Sequence, residues 1–169
     1  MRYLCLVIAI GLAVGCSDDP PVADASEGAV ATEDCAAVET IPIQGEGHLV
    51  GDQKPPVDYN STPPTSGWHT STEVAIATPP EPLTEPQQVT VLEQGGVVVA
   101  HNGLDAADQQ ALTDLVAQKY AGLAAVTPYD KLAAGEVALT AWGKLQRCEA
   151  LDLTAVETFV TAYATVTPA

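Results

Sequence analysis

Residues 88–100 read QVTVLEQGGVVVA, two valine-rich runs that flank the tetrapeptide Glu93-Gln94-Gly95-Gly96. Because β-branched residues favour strands and glycine pairs favour tight turns, the stretch predicts a β-hairpin made of Gln88–Leu92 and Val97–Ala100. The unbroken valines of the second run predict a strand that is buried on both faces. These residues therefore place a β-sheet in the fold.

The sequence after this hairpin alternates helical and extended patterns. Four further elements are predicted: a helix over Ala106–Tyr120 with Asp105 as its N-cap, a short strand over Leu123–Val126, a longer strand over Glu136–Leu145 that contains Trp142, and a last helix capped by Asp152 or Thr154. The order hairpin, helix, strand, strand, helix predicts an α+β fold, in which two helices pack on a small, mostly antiparallel sheet.

The segment before the hairpin, from Ile41 to about Pro86, is dense in Pro, Gly, Thr and Ser. Its Lys54–Val57 and Thr62–Thr65 stretches each contain Pro-Pro, which excludes a helix there. Glu73–Ala77 is predicted as a short strand. We expect the rest of this segment to be a long, ordered loop region.

The amino terminus has the pattern of a bacterial lipoprotein signal. Met1-Arg2 is followed by the apolar run Leu4–Val14, which is too short to span a bilayer, and Leu12–Gly15 forms a small-residue cleavage box before Cys16. The pattern predicts a signal peptide over residues 1–15 and lipidation, including palmitate, of Cys16. Residues 16–40, rich in Asp, Glu, Ala and Pro, are predicted to be a flexible acidic tether, and residues 41–169 a single α+β domain.

Charge limits the partners of the chain. It carries 22 acidic and 6 basic residues, a net charge of −16, and loss of Arg2 with the signal would make it one unit more negative. Such a polyanion is repelled by nucleic-acid phosphates and by anionic lipid headgroups, so nucleic acid is excluded as a partner. We expect the protein to be held at a membrane by its lipid anchor, in the cell envelope and facing an extracytoplasmic compartment.

The four cysteines agree with export. Cys5 lies in the signal and Cys16 is assigned to the lipid, which leaves Cys35 and Cys148. An even pair in an oxidising compartment predicts a disulfide. Two free thiols or a thiol pair that binds a metal are the alternatives, although neither cysteine belongs to a Cys-x-x-Cys or Cys-x-x-His motif.

Three motifs appear in order: Pro63-Pro64-Thr65-Ser66-Gly67-Trp68-His69, then Leu92-Glu93-Gln94-Gly95-Gly96-Val97-Val98, then Leu139-Thr140-Ala141-Trp142-Gly143-Lys144. Their order and spacing resemble a bacterial family known as domain of unknown function 3105, from roughly Gly47 to Tyr163. The resemblance implies a protein that is exported or attached to a membrane, and it implies no particular activity. Relatives usually carry Glu-His-Gly where this chain has Glu93-Gln94-Gly95.

Two histidines offer a metal site. His48 and His69 lie in the loop-rich segment, and Glu93 lies at the predicted hairpin turn. Imidazole and carboxylate ligands suit copper or zinc, and Gln94 is a poor ligand where relatives have histidine. The alternative is that His69 hydrogen-bonds its own loop. The third histidine, His101, is predicted to be a surface turn residue.

Ser66, His69 and Glu93 also include the residue types of a hydrolase triad. However, Ser66 lacks the Gly-x-Ser-x-Gly context that exposes a nucleophile, and serine beside proline usually serves turn structure. The sequence therefore favours a non-catalytic accessory or interaction domain, with an envelope protein as its expected partner. Copper or zinc binding and a hydrolase remain the two alternatives, and no other cofactor is expected.

Overall fold

Seven strands and three helices form in the computed structural model, which describes residues 31–45 and 47–165. They are β1 (Glu39–Thr40), β2 (His48–Leu49), β3 (His69–Thr70), α1 (Glu85–Glu93), β4 (Val97–His101), α2 (Ala106–Lys119), β5 (Ala124–Pro128), β6 (Val137–Ala141), β7 (Lys144–Cys148) and α3 (Leu153–Tyr163). The predicted α+β class is confirmed. The predicted signal peptide and the predicted lipidation site, Cys16, lie outside the described residues. Among the helices described, none has the length and apolar character that crossing a membrane requires.

Five of the strands form one sheet in the order β1-β7-β6-β4-β5. All its neighbours run antiparallel except β4 and β5, which are parallel and are joined through α2. The parallel pair needs this crossover because a tight turn cannot join strands that run the same way. A separate two-stranded sheet pairs β2 with β3 in parallel.

Strand β4 lies in the interior of the main sheet, and all five of its residues are buried. Val97 and Val99 face a core cluster that contains α2 and α3 residues such as Leu112 and Phe159. Val98 and Ala100 face the opposite cluster, which contains Val91 and Leu92 of α1. The prediction of a strand buried on both faces is confirmed, with one helix on one face and two on the other.

Helix α1 corrects the predicted hairpin, because Gln88–Leu92 is helical and does not pair with β4. Local signals at its start favour the helix. The side-chain oxygen of Gln87 accepts the Thr84 backbone N–H at 2.9 Å, one half of a capping box, and Pro86 lies in the first turn. Burial of its valines and leucine against the sheet then outweighs the strand preference of the β-branched residues. The domain therefore has three helices.

Two further predicted strands differ from the structure. The long strand over Glu136–Leu145 is a hairpin, in which β6 and β7 flank a turn at Trp142-Gly143. Gly143 has φ of 68°, a conformation that glycine adopts without strain, so Trp142 belongs to a turn. Glu73–Ala77 forms no strand. By contrast α2 with its Asp105 cap, β5, and α3 with its Asp152 cap agree with the predictions.

Cys35 and Cys148 form the predicted disulfide, with both residues buried. Beside it, the short strand β1 pairs with β7 at the edge of the sheet. Residues 35–40, the last part of the expected tether, are therefore joined to the domain both covalently and by backbone hydrogen bonds.

His101 is not the surface turn residue that was predicted. It is the last residue of β4, it is 4 % exposed, and neither of its ring nitrogens makes a hydrogen bond to another described residue. Burial lowers the pKa of its imidazole, because the charged form loses hydration there. His101 is thus a neutral histidine of the core.

Candidate metal site

Three short elements bring His48, His69 and Glu93 together at one place on the surface. Each residue offers one ligand atom, and these three atoms all lie within 4.8 Å of one another. His48 on β2 is the register partner of His69 on β3, and the two rings meet edge to face with centroids 4.7 Å apart. Glu93 is the last residue of α1, which packs against β3.

The hydrogen bonds of His69 fix which ring nitrogen faces the cluster. Its Nδ1 lies 3.0 Å from the backbone carbonyl oxygen of Gly67, which can only accept, so Nδ1 carries a hydrogen. In the neutral ring, Nε2 therefore has a lone pair. This Nε2 is buried, makes no hydrogen bond within the described chain, and lies 3.3 Å from Oε2 of Glu93. In that form a lone pair faces a carboxylate, and a cation between them would satisfy both; an ion pair between the protonated ring and Glu93 would satisfy them as well.

The contact between His69 and the Gly67 carbonyl has the form typical of metal-binding histidines. Such residues usually donate their second ring N–H to a carbonyl or carboxylate, which holds the ring in place. Gly67 has φ of 114°, which favours glycine in the turn that presents this carbonyl. The alternative considered from the sequence, that His69 bonds its own loop, therefore describes only one of its two nitrogens.

Packing behind the cluster holds β2 against β3. The Trp68 ring lies directly on Gly47, where an added Cβ would be 2.7 Å from a ring carbon. The Tyr59 hydroxyl donates to the Trp68 carbonyl at 2.5 Å. Burial, and secondarily the negative charge of Glu85, raises the pKa of this hydroxyl, which keeps Tyr59 a donor. These two contacts hold the backbone of Gly47, next to His48, and of Trp68, next to His69.

The outer side of the cluster is open. His69 is 1 % exposed, whereas His48 is exposed and the Glu93 side chain is 44 % exposed. A metal ion held by these two histidines and one carboxylate would keep at least one coordination position for a ligand from solvent. Zinc sites with three protein ligands and one exchangeable ligand have this composition.

Other residues of the predicted site serve the scaffold. The Gln94 side-chain oxygen accepts the Val74 backbone N–H at 3.3 Å, so it supports a loop. Ser66 is fully buried and its Oγ accepts the Gln44 backbone N–H at 2.9 Å. Among the described residues no hydrogen bond joins Ser66 to His69, and the contact shown for the Ser66 hydroxyl is with the backbone of Gln44.

The remaining motif residues connect the first and third motifs in space. The backbone N–H of Gly143, in the turn after Trp142, donates to the carbonyl of Thr65 at 3.0 Å. Pro63, Pro64 and Thr65 are buried. Gly95 has φ of 85° and follows the end of α1. The first and third motifs are therefore in direct contact through Thr65 and Gly143.

Comparison with known proteins gives a family for the chain. The family described as protein of unknown function (DUF3105) matches residues 51–169, which is more than half of the chain. The chain belongs to the DUF3105 family. No curated protein and no solved structure shows a significant match to it.

In this DUF3105 protein the family match includes His69 and Glu93, whereas His48 lies just before its first matched residue. Sequence reasoning named the three residues of the cluster but missed neighbouring residues that pack or hydrogen-bond around it, notably Gly47, which lies under the Trp68 ring, and Thr70 and Thr90, which are hydrogen-bonded to each other. The capping pattern Thr84-x-x-Gln87 could have revealed α1 and, with it, Thr90 on the same helix as Glu93.

Proposed function

We propose that this DUF3105 protein binds one zinc ion through His48, His69 and Glu93. The observation that carries the proposal is the buried Nε2 of His69, which faces the Glu93 carboxylate while Nδ1 is held by the Gly67 carbonyl. A buried nitrogen that lacks a hydrogen-bond donor is costly unless another group satisfies it. A zinc ion would satisfy this nitrogen, the carboxylate and the His48 ring together.

Zinc is the first candidate, because two histidines and one carboxylate are the protein ligands of three-ligand zinc sites that keep one exchangeable position. Copper(II) is the second candidate, because imidazole and carboxylate also suit it.

We further propose that the protein is a lipid-anchored component of the cell envelope with a non-catalytic role. The cleavage box before Cys16 and the acidic composition support the anchor, and the Cys35–Cys148 disulfide supports an oxidising compartment. An exchangeable coordination position that faces solvent suits the transfer of an ion to or from an envelope protein. The predicted partner is then a protein that offers a metal ligand.

Titration of the purified full-length protein with Zn²⁺ and with Cu²⁺ tests the metal site. His69→Asn is the informative variant, because its amide N–H can still donate to the Gly67 carbonyl while Nε2 is lost. Glu149→Gln is the control, since Glu149 is exposed and lies at the β7–α3 junction, away from α1 in the chain. We expect one equivalent of zinc in the wild type and in the control, and none in His69→Asn. Absence of zinc binding by the wild type at micromolar concentrations would overturn the proposal.

A further inference from the structure

A pair of threonines joins the strand that carries His69 to the helix that carries Glu93. The backbone N–H of Thr70 on β3 donates to Oγ1 of Thr90 on α1 at 3.0 Å, and the two hydroxyl oxygens lie 2.8 Å apart. Thr90 is 3 % exposed. These hydrogen bonds connect side chain and backbone across two elements that carry different ligands of the same site.

The protons of the two hydroxyls can be assigned consistently. Thr70 Oγ1 lies 2.9 Å from the Thr72 carbonyl, which must accept, so the Thr70 hydroxyl donates there. The Thr90 hydroxyl then donates to Thr70 Oγ1, or to the carbonyl of Pro86 one helical turn earlier at 3.0 Å. In either case Thr90 Oγ1 accepts the Thr70 N–H. The hydroxyl of Thr90 thus accepts this N–H and donates at the same time, which an apolar side chain at position 90 could not do.

The two threonines lie close along the chain to His69 and Glu93, so their contact affects where these two residues are placed. Thr70 follows His69 directly in β3, and Thr90 precedes Glu93 by three residues, so Thr90 and Glu93 are neighbours on one side of α1. A shift of α1 along or away from β3 would therefore change the distance between His69 Nε2 and Glu93 Oε2. The 3.3 Å distance between His69 Nε2 and Glu93 Oε2 therefore depends on the position of α1 relative to β3, which the hydrogen bonds between Thr70 and Thr90 fix.

We infer that Thr90 is a positioning residue: it fixes the helix that carries Glu93 against the strand that carries His69 and thereby keeps both residues within reach of one zinc ion. This inference rests on the zinc site proposed above. The side-chain hydrogen bonds of Thr90 go to Thr70 and Pro86 and not to a ligand atom, so Thr90 acts by fixing the position of α1. Residues that orient metal ligands in this way typically change metal affinity by about 10–100-fold when they are replaced.

The test compares Thr90→Val with Thr90→Ser in the full-length protein, with Zn²⁺ and Co²⁺ as the probes. Valine keeps the shape of threonine but loses the hydroxyl, whereas serine keeps the hydroxyl. We expect Thr90→Val to lower zinc affinity by about tenfold or more. Thr90→Ser should retain the wild-type zinc affinity. Substituted Co²⁺ should lose the intense visible bands of tetrahedral coordination in the valine variant alone.

The outcomes separate this inference from the proposed function. If the wild type binds no zinc, the site itself is wrong. If the wild type binds zinc and Thr90→Val has the same zinc affinity and the same Co²⁺ spectrum, the site stands and the role of Thr90 is wrong. If Thr90→Val fails to fold, Thr90→Ala decides, because it removes the same hydroxyl from a smaller side chain. An unchanged zinc affinity in a folded Thr90→Ala overturns the inference.

Discussion

His69 and Glu93 face each other between β3 and the end of α1, with Nε2 and Oε2 3.3 Å apart. The other nitrogen of His69 is occupied by the Gly67 carbonyl, and His48 packs edge to face on the same ring. A proton on Nε2 would satisfy the contact as a metal ion does, so zinc and protons should compete for the site.

Zinc should stabilise the fold, because a ligand that binds only the native state raises the free energy of unfolding of the protein. At a free zinc concentration of 100 times Kd, the gain is about 2.7 kcal/mol. Thermal unfolding at pH 7.5, with and without Zn²⁺, measures this gain, and a chelator should reverse it. His69→Asn should show no zinc-dependent shift. A wild-type unfolding temperature that does not respond to zinc would contradict the prediction.

Gly47→Ala should weaken zinc binding, because the new methyl group would lie 2.7 Å from the Trp68 ring and push β2 away from β3. His48 would then move relative to His69, and we expect at least a tenfold loss of zinc affinity, as for other residues that orient ligands. Gly45→Ala is the matched control in the same loop, since its added Cβ meets nothing within 4 Å. Equal zinc affinities of the two variants would show that the packing of Trp68 on Gly47 does not position His48.

His101 should make the protein sensitive to mild acid. Burial lowers the pKa of His101 in the folded state, so below its ordinary value of about 6.5 the unfolded state binds a proton that the folded state resists. Stability is therefore full above about pH 6.5 and falls as the pH drops toward the folded-state pKa, by at most about 1.4 kcal/mol per pH unit.

His101→Leu should remove this dependence, and denaturant unfolding from pH 7.5 to pH 5 in a chelator measures it. Replacement of unpaired buried nitrogens by an apolar group of similar size should change stability at pH 7.5 by only about 1 kcal/mol. His48 and His69 are present in both proteins, so the difference between the two curves reports His101. Parallel curves would mean that His101 does not titrate differently on folding.

Reduction of the Cys35–Cys148 disulfide should destabilise the domain, because the bridge links positions separated by 113 residues and fixes the edge strand β1. Loss of such a bridge typically costs about 2–5 kcal/mol. The double variant Cys35→Ser/Cys148→Ser, compared with the oxidised wild type by urea unfolding, tests this value. Zinc binding by the folded double variant should persist, since neither cysteine belongs to the ligand cluster.

Cys16 should carry lipid at the amino terminus of the mature chain. Intact-mass measurement of the protein from membranes should find cleavage before Cys16 and added acyl chains, and Cys16→Ala should release the protein from the membrane fraction. Cys5→Ala is the control, since Cys5 lies within the predicted signal. Recovery of the full-length wild type with Met1 attached and an unmodified Cys16 thiol would contradict the anchor.

Several features of the fold follow from the sequence alone. Asp105 and Asp152 each precede an apolar periodic segment, and both accept the expected N-cap hydrogen bonds. The unbroken valines of β4 predicted a strand buried on both faces, and the parity of the cysteines predicted their pairing. The N-caps and the buried strand depend on local backbone chemistry and burial, which nearby residues specify. The cysteine pairing follows from the number of cysteines in the sequence.

The sequence misled where tertiary burial competes with local preference. The β-branched run of α1 favours a strand, and it becomes helical because its start is capped and because its apolar residues pack on one face of the sheet. His101 precedes Asn102-Gly103, a turn signal, yet the sheet continues through His101 and buries its ring. In both cases packing or pairing with residues far away in the chain contributes: Ala125 and Leu145 for α1, and Val137 for His101.

The candidate site divides in the same way. Residue types and motifs pointed to His48, His69 and Glu93, because imidazole and carboxylate are common metal ligands in proteins. Only the tertiary structure decided that the three meet, since this requires the parallel pairing of β2 with β3 and the placement of α1 by Thr70 and Thr90. Distances between ligand atoms are set by these long-range contacts, and no spacing along the chain specifies them.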